Sequence, residues 1–297
     1  MDKHGSPANG RARTLIEALP YIRMWAGKTM VVKYGGAAMT DPALQHSVMR
    51  DLVLMHYVGV RVVMVHGGGP KISQMMERLG HQPQFLGGLR VTDEATMEIV
   101  QMVLVGSVSQ ELVALLNAEG VPAVGLSGHD ANIVKAHKLD SPAGDLGFVG
   151  EVSHVDTRLI ETLTVAGYPV VLSSIGAGEG RQSFNINADA MACAVAQALN
   201  AEKLIVLSDV PGVLADPADE ASVISALATA DALKLIEEGT VSEGMIPKLE
   251  AAVDAIENGV NSVHMIDGRM EHSLIMELFT DEGVGTMIVA EEGAEHD

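Results

Sequence analysis

The sequence predicts an α/β protein with an open, mostly parallel β-sheet that is covered by helices on both faces. Short runs of consecutive apolar residues, such as TMVVKY and VRVVMV, alternate with longer segments that have helical spacing. Strands buried on both faces lack the polar and apolar alternation of a half-exposed sheet, and helices between them imply parallel crossovers. The chain has 297 residues, of which 47% are hydrophobic, so it is long enough to bury a large core.

The first elements are an interrupted helix and two strand–helix pairs. Residues 1–12 are rich in Gly, Pro and charge, and we expect them to lack structure. Apolar residues at helical spacing follow, and Pro20 is expected to kink or split that helix. Strand TMVVKY precedes a helix that begins near Pro42, and strand VRVVMV precedes a helix that begins at Pro70.

A long helix and a hairpin form the middle of the chain. The segment 91–120 has apolar residues at helical spacing and is predicted to start at Thr92, with Asp93 and Glu94 favourable for the helix dipole. Strand PAVGLS comes next. The alternating segments ANIVKAHKL and GFVGEVSHV, joined by the polar DSPAGDL, predict a β-hairpin.

The rest of the chain returns to alternating helices and strands. DTRLIETLTVAG, ADAMACAVAQALN, ATADALKLIEEG, IPKLEAAVDAIENG and HSLIMELFTDEG predict helices, and PVVLSS, KLIVLSD, SVHMI and TMIVA predict strands. Sheets of this kind bind ligands beyond the carboxyl ends of their strands, so we expect functional residues just after strands.

Composition excludes several classes of protein. The formal net charge of −20 argues against nucleic acid and against an anionic membrane surface as partners. The single cysteine, Cys193, rules out an intrachain disulfide and is predicted to be inert core. No apolar run of transmembrane length is expected, and the N-terminus lacks the apolar centre of a signal peptide, so the predicted location is the cytoplasm.

Two glycine-rich loops follow predicted strands, KYGG at the first and HGGGP at the second. Glycine lets a ligand approach the backbone, whose N–H groups can then point at negative oxygens. Neither loop is a Walker A motif or a G-x-G-x-x-G fingerprint. HGGGP also occurs in esterases, but the downstream GLSGH lacks the fifth-position glycine of a nucleophile elbow, and no H-E-x-x-H metal motif is present.

Charged and polar residues stand at positions where they are costly or unusual. Lys33 ends an apolar strand, and Lys248 lies in the first turn of a predicted helix, where a cation opposes the dipole. NINAD, from Asn185 to Asp189, places three polar side chains just before a helix, and capping explains only one of them. Arg90 lies in a glycine turn and suits bidentate binding of a carboxylate.

The motifs VVKYGGAAM, HGGGP, GLRVTDEATMEIVQMVLVG, FNINAD, LSDVPGVL and GMIPKL, in this order, resemble the amino-acid kinase family over roughly residues 15–290. GLRVT and NINAD resemble in particular the branch whose acceptor is N-acetyl-L-glutamate. The resemblance implies an α/β/α fold and transfer of the γ-phosphoryl group of ATP, with Mg²⁺, to the side-chain carboxylate of that acceptor. This reaction is the second step of L-arginine biosynthesis.

The resemblance also implies roles for individual residues. Lys33 and Lys248 would neutralise the phosphoryl group during transfer, and Asp189 would hold both lysines in place. The other implied residues bind the two substrates: Gly68, Gly69, Arg90 and Asn185 the acceptor, and Gly35, Gly36, Ser208, Asp209 and Gly212 the nucleotide.

The sequence further resembles the arginine-sensitive members of the family, in which an N-terminal helix swaps between dimers to give a hexameric ring. This implies a homo-oligomer, a trimer of dimers, with L-arginine as a feedback inhibitor and a PII-type protein as a further candidate partner. The positions that would bind arginine are Tyr21, Lys203, His264, Glu277 and Gly283.

Two positions depart from the family pattern: His129 replaces a lysine, and Glu243 replaces a glycine before Lys248. The predicted organisation is an N-terminal extension (1–28), an acceptor-binding lobe (29–190) and a nucleotide-binding lobe (191–297). Two alternatives stay open, another carboxylate or carbamate kinase of the same fold and an arginine-responsive regulatory protein.

Overall fold

The computed structural model describes residues 7–242, 244–281 and 283–290. The strands are β1 (Thr29–Tyr34), β2 (Arg61–His66), β3 (Phe85–Leu86), β4 (Leu89–Arg90), β5 (Val124–Leu126), β6 (Val134–Lys138), β7 (Val149–Val155), β8 (Val170–Ser173), β9 (Ile175–Ala177), β10 (Ser183–Ile186), β11 (Lys203–Ser208), β12 (Ala226–Ala228), β13 (Ser262–Asp267) and β14 (Thr286–Val289). The helices are α1 (Pro7–Glu17), α2 (Leu19–Trp25), α3 (Pro42–Tyr57), α4 (Gly69–Arg78), α5 (Glu94–Gln101), α6 (Gln110–Ala118), α7 (Arg158–Val165), α8 (Ala188–Ala198), α9 (Thr229–Glu237), α10 (Ile246–Glu257) and α11 (Ser273–Phe279).

An eight-stranded sheet in the order β12-β14-β13-β11-β1-β2-β8-β5 forms the centre of the fold. Its neighbouring strands are parallel except for β13 and β14. This confirms the predicted fold class. Because β1 pairs with both β2 and β11, one sheet continues through both predicted lobes, whose boundary stays a prediction.

Side chains alternate across the central strands and divide the core into two clusters. Val31 of β1 packs into one cluster, with residues of α8 and α10. Met30 and Val32 pack into the other, with residues of α3, α5 and α11. Helices therefore cover both faces of the sheet, as the continuous apolar strands predicted.

A second, four-stranded unit closes as β10-β7-β6-β9 beside the main sheet. It contains the predicted hairpin, since β6 and β7 are antiparallel neighbours. The sequence interpretation missed β9, and it also missed β10, which overlaps the polar segment NINAD before a helix. It also missed the small β3–β4 hairpin, where Gly87 and Gly88 form the two-residue turn with φ values of 57° and 78°.

The N-terminal helix is longer than expected. α1 begins at Pro7, so the expectation of an unstructured segment is wrong for residues 7–12, while residues 1–6 lie outside the described residues. Pro20 occupies the first turn of α2 directly after the break, which confirms the predicted split.

Helices α5 and α6 are joined by a π-helical segment, Met102–Ser109, into one helix of 25 residues from Glu94 to Ala118. By length and composition this helix could cross a membrane, so the expectation that no apolar stretch reaches that length is wrong. Its buried residues pack into the core cluster of α3 and α11, as those of a core helix of a soluble protein also do. The N-cap is Asp93, whose side chain accepts a hydrogen bond from Thr96 N, and not Thr92 as predicted.

Candidate active site

Two lysines from distant parts of the chain converge on one carboxylate at the carboxyl end of the sheet. Lys33 lies near the end of β1, Lys248 in the first turn of α10, and Asp189 in the first turn of α8. The Nζ of Lys33 is 3.1 Å from Oδ1 of Asp189, and the Nζ of Lys248 is 3.6 Å from Oδ2. The structure thus brings together all three residues that the family resemblance assigned to catalysis.

The two lysines keep Asp189 ionised. Burial by itself would raise the pKa of this carboxyl, but the charges of Lys33 and Lys248 hold the pKa below its usual value. Among the described residues, no group meets hydrogen-bond geometry with the buried Oδ1 of Asp189, so its contact with Lys33 is an ion pair. The cluster therefore keeps two cations next to one anion, a net positive charge beside a cavity.

Arg90 is a buried cation in the wall of that cavity. The residue is 7% exposed, and its Nη2 donates to Gly69 O at 3.0 Å and to Ser73 Oγ at 2.8 Å. The guanidinium also lies 4.8 Å from the centroid of the Phe85 ring. Among the described residues it forms no ion pair, and burial lowers its pKa. An unneutralised buried guanidinium favours an anionic ligand.

The glycines of HGGGP lie beside Arg90. Gly68 is the N-cap of α4, and Gly69 is its first residue, so free N–H groups of a helix start line the cavity. A Cβ on Gly68 would lie 2.6 Å from Cδ2 of Leu104, in the π-helical segment. The close packing of this helix against the loop therefore disfavours a larger residue at this position.

Asn185 lies on β10 and completes the same cavity. Its Nδ2 donates to Thr92 Oγ1 at 3.1 Å. The cavity has a volume of about 250 Å³ and is lined by the acceptor residues and Lys33, Gly35, Gly36 and Asp189, among others.

A neighbouring cavity of about 620 Å³ shares Asp189 and contains Lys248 and Cys193. Cys193 is 7% exposed and burial raises the pKa of its thiol to about 12, as expected for inert core.

The residues predicted to bind the nucleotide are only partly brought together. Gly35 and Gly36 line the smaller cavity, whereas Ser208, Asp209 and Gly212 line neither of the two cavities described above. Asp209 is nevertheless close to the first glycine loop, because its Oδ1 accepts a hydrogen bond from Ala37 N at 2.6 Å. This contact shows that a backbone N–H directly after that loop can bind a negative oxygen.

Three of the residues predicted to bind arginine form a buried acid–base cluster, which consists of Lys203, His264 and Glu277. Lys203 Nζ lies 2.6 Å from His264 Nε2, and His264 Nδ1 lies 2.6 Å from Glu277 Oε1. Burial lowers the pKa of Lys203 to about 8.

The other two predicted residues lie near this cluster. A Cβ on Gly283 would lie 3.2 Å from Glu277 Oε2, and Tyr21 donates to Asp281 on the same connection. Lys203 also lies 4.8 Å from the centroid of the Trp25 ring, so helix α2 contacts the cluster.

Of the two positions that depart from the family pattern, the structure describes only His129. His129 is in hydrogen-bond contact with Ser183 Oγ at 2.8 Å and lines neither the 620 Å³ nor the 250 Å³ cavity. Glu243 lies outside the described residues.

Sequence reasoning missed three residues that support the site: Ser73, His66 and Thr92. Ser73 contacts Arg90, and its spacing of one helical turn from Gly69 was the available signal. His66 is fully buried, its Nδ1 donates to Gly67 O at 2.9 Å, and burial lowers its pKa to about 4, so it stays neutral.

The fold and the site together define a class of protein, and the comparison with family models agrees. The chain belongs to the amino acid kinase family, whose model matches residues 28–267.

Within that family, the chain is similar to proteins named acetylglutamate kinase. It is 51% identical to one from Syntrophomonas wolfei over 95% of this chain and 98% of that protein. It is 53% identical to one from Symbiobacterium thermophilum over 94% and 97%.

Among solved structures, the chain is similar to N-acetylglutamate synthase from Neisseria gonorrhoeae, complexed with coenzyme A and N-acetyl-glutamate. The TM-score is 0.84 with 29% sequence identity, over 94% of this chain. The match spans 63% of the synthase chain.

Proposed function

We propose that this protein transfers the γ-phosphoryl group of ATP to the side-chain carboxylate of N-acetyl-L-glutamate and produces N-acetyl-L-glutamyl 5-phosphate and ADP. The observation that carries the proposal is that Lys33 and Lys248 converge on Asp189, which lines both the cavity that contains Arg90 and the neighbouring cavity that contains Lys248. The similarity to two proteins named acetylglutamate kinase supports this choice of acceptor.

The chemistry needs charge neutralisation more than covalent assistance. An oxygen of the acceptor carboxylate attacks the γ-phosphorus, and the bond from that phosphorus to the bridging oxygen of ADP breaks. The carboxylate is already ionised, so no general base is required. Two like charges at ~4 Å repel by about 4 kcal/mol at an effective dielectric constant near ~20. Lys33 and Lys248 offset this repulsion, and Asp189 fixes the position of both ammonium groups.

The acceptor is held at both ends. In the proposed complex, Arg90 binds the α-carboxylate and Asn185 contacts the acetamido end, both away from the reacting oxygen, while the N–H groups at Gly68 and Gly69 bind the reacting end. Such positioning lowers the activation barrier because the substrate is held in a reactive orientation. The distance from Arg90 to Ser73 and the stacking on Phe85 support a rigid guanidinium.

The nucleotide enters as its magnesium complex. Mg²⁺ usually keeps several waters and is bound through one or two carboxylates and the substrate phosphates, so we treat it as part of the ATP substrate. Gly35 and Gly36 would approach the γ-phosphate, and Ser208, Asp209 and Gly212 would line the rest of the nucleotide site. The hydrogen bond from Ala37 N to Asp209 supports an anion-binding role for this loop.

The finer biological setting is also part of the proposal. The reaction would serve L-arginine biosynthesis in the cytoplasm, and L-arginine would inhibit it by binding at the acid–base cluster near Tyr21 and Gly283. The exposed apolar side chains of Leu15 and Ile16 support an assembly through α1, with a hexamer as the expected state. A PII-type protein is a candidate regulatory partner. The mass in solution with and without arginine tests the assembly.

The proposed reaction is tested by trapping the acyl phosphate with hydroxylamine. The protein is incubated with MgATP and, in separate reactions, with N-acetyl-L-glutamate, L-glutamate, L-aspartate or carbamate. Hydroxamate and ADP should form with N-acetyl-L-glutamate. Product with another acid alone would favour a different kinase of this fold, and no product with any acid would favour a regulatory protein.

A further inference from the structure

We propose that Thr92 is a positioning residue for the acceptor, because its hydroxyl fixes the orientation of Asn185 and joins it to the segment that carries Arg90. The inference rests on the proposed function, since Asn185 and Arg90 are the two side chains expected to bind the ends of the acceptor. Thr92 lies two residues after Arg90, in the connection between β4 and α5.

The hydrogen-bond inventory of a hydroxyl determines how the amide of Asn185 is oriented. Thr92 Oγ1 lies 2.8 Å from Arg90 O, which can only accept, so the single hydroxyl hydrogen points to that carbonyl. Only lone pairs then remain on Oγ1 for Asn185, whose Nδ2 lies 3.1 Å away and must be the donor. The flipped amide would place two acceptors face to face. The Oδ1 of Asn185 is therefore directed away from Thr92.

The burial of Thr92 favours this one orientation of the Asn185 amide over the others. Thr92 is 0% exposed, so water cannot replace either partner of the hydroxyl. Leaving a buried polar group without a hydrogen-bond partner is unfavourable, which disfavours other orientations of the amide. Asn185 is partly exposed in the cavity wall, and the hydroxyl is the contact that holds its side chain there.

The backbones of both residues are anchored to the same short segment. Thr92 N donates to Leu146 O at 2.9 Å, and Thr92 O accepts from Phe148 N at 2.6 Å. Asn185 N donates to Phe148 O at 2.9 Å. Because Phe148 binds both backbones, Thr92 and Asn185 are already held next to each other, and the hydrogen bond between their side chains adds to this arrangement.

The same hydroxyl also stabilises the backbone of Arg90, the residue expected to bind the α-carboxylate of the acceptor. Arg90 ends a hairpin of two residues per strand, whose Phe85 and Leu86 are exposed. A hairpin of this size is marginally stable alone. The bond from Thr92 to Arg90 O fixes the backbone of Arg90 at the end of this hairpin, so one side chain sets the positions of both acceptor-binding residues.

The experiment compares Thr92→Val, which keeps the shape and removes the hydroxyl, with Thr92→Ser, which restores the hydroxyl. Thr92→Val leaves the amide of Asn185 and the carbonyl of Arg90 without their partner, and a loss of about 1–2 kcal/mol predicts a KM for N-acetyl-L-glutamate raised by roughly 5–30-fold. The KM for ATP should change less than about 2-fold, because Thr92 is not expected to contact ATP. In Thr92→Ser, which keeps the hydroxyl, the KM for N-acetyl-L-glutamate should stay within about 3-fold of the wild-type value.

The matched control is Thr164→Val. Thr164 is also buried, and its hydroxyl donates to the carbonyl of Ile160 inside α7, remote from the cavity. This variant should lose stability to a similar degree as Thr92→Val, without a selective change in the KM for the acceptor. Thr92→Ala provides a second hydroxyl-free variant if Thr92→Val does not fold.

A double-mutant cycle with Asn185→Ala separates positioning from direct contact. If Thr92 acts through Asn185, Thr92→Val should raise the KM much less in the Asn185→Ala background than in the wild-type background. Fully additive effects, or equal changes in the KM values of both substrates, would overturn the inference. Absence of acyl phosphate from the wild-type protein would instead refute the proposed function itself, so the two failures are distinguishable.

Discussion

The ammonium group of Lys33 lies 3.1 Å from the carboxylate of Asp189, although the two residues are separated by most of the first two-thirds of the chain. The contact exists because β1 ends at the same edge of the sheet at which α8 begins. Lys248 reaches the other oxygen of the same carboxylate from α10. The position of each ammonium group therefore depends on a residue that is not expected to touch the acceptor.

Removing either lysine should abolish most of the activity. We expect Lys33→Ala and Lys248→Ala each to lower kcat by at least about 10²-fold, because each removes a charge that stabilises the transition state. Steady-state kinetics with both substrates measure the effect. Lys234→Ala is the matched control, since Lys234 is exposed and pairs weakly with Glu238 at 4.0 Å. Near-normal turnover in either active-site variant would refute the assigned role.

Replacing Arg90 should weaken acceptor binding more than it slows chemistry. Arg90→Lys keeps the charge but loses the planar fork and its contacts with Ser73 and Phe85. Charged hydrogen bonds worth about 1.5–3 kcal/mol predict a rise of roughly 10–100-fold in the KM for N-acetyl-L-glutamate. Arg158→Lys, at an exposed site beside Asp156, serves as control. A KM unchanged within error would exclude Arg90 from acceptor binding.

The tight packing of Gly147 against Thr92 should be visible in stability. Gly147 has a φ of 70°, and a Cβ there would lie 2.2 Å from the carbonyl oxygen of Thr92. Left-handed backbone costs about 1–2 kcal/mol in a residue other than glycine, and overpacking adds about 1–3 kcal/mol. Gly180, with a φ of 60° and open space around it, isolates the first cost. Chemical denaturation should therefore show a larger loss for Gly147→Ala than for Gly180→Ala.

The buried carboxyl of Asp51 should make stability depend on pH. Burial raises its pKa to about 6, and the hydrogen bond with His272, 2.6 Å from Nδ1, opposes this only in part. Between pH 3.8 and about 6 the folded protein holds a proton that the unfolded chain has released, so stability falls as the pH rises through this window. Asp51→Asn removes this dependence, and its Tm relative to wild type should increase from pH 4 to pH 7.

A surface carboxyl provides the control for this pH dependence. The bonded guanidinium of Arg158 lowers the pKa of Asp156 to about 2, below the tested window. The Tm difference between Asp156→Asn and wild type should therefore be flat from pH 4 to pH 7. Parallel profiles for the wild type and Asp51→Asn would show that Asp51 does not titrate in this range.

The acid–base cluster should decide whether arginine inhibits the protein. Glu277 is the cluster's carboxylate, and its side chain is only 5% exposed. Glu277→Gln keeps a hydrogen-bond acceptor for His264 and removes the negative charge that would bind a guanidinium. The arginine concentration for half-inhibition should rise by roughly 10–100-fold. Glu271→Gln, at an exposed position, is the control; wild-type protein that arginine does not inhibit would refute the regulatory proposal.

The sequence was most informative where burial alone dictates structure. The strands β1, β2, β8 and β11 are continuous apolar runs, and each was predicted close to its observed bounds. The strand β10 was missed because its alternation of Ser, Phe, Asn and Ile overlaps a motif dominated by polar residues. The partners that make it a strand, β7 and β9, are distant in sequence or joined through a glycine loop.

Some residues of the candidate site could be identified from the sequence, and others could not. Lys33, Asp189 and Arg90 stood out because each is costly where it lies, or follows a strand. Thr92 and Ser73 are not costly where they lie, since a single hydroxyl in a helix or shortly before one is ordinary. Their importance depends on contacts with Asn185 and Arg90 that only the folded chain brings within reach.

Strand β11 carries a constraint on how this protein can change during evolution. Lys203 begins the strand and Ser208 ends it, and because side chains alternate, five positions of separation place them on opposite faces. Insertion or loss of one residue within β11 would leave one of them correctly placed and turn the other to the wrong face. The exposed connection at 216–221 can vary in length, whereas β11 must be inherited intact.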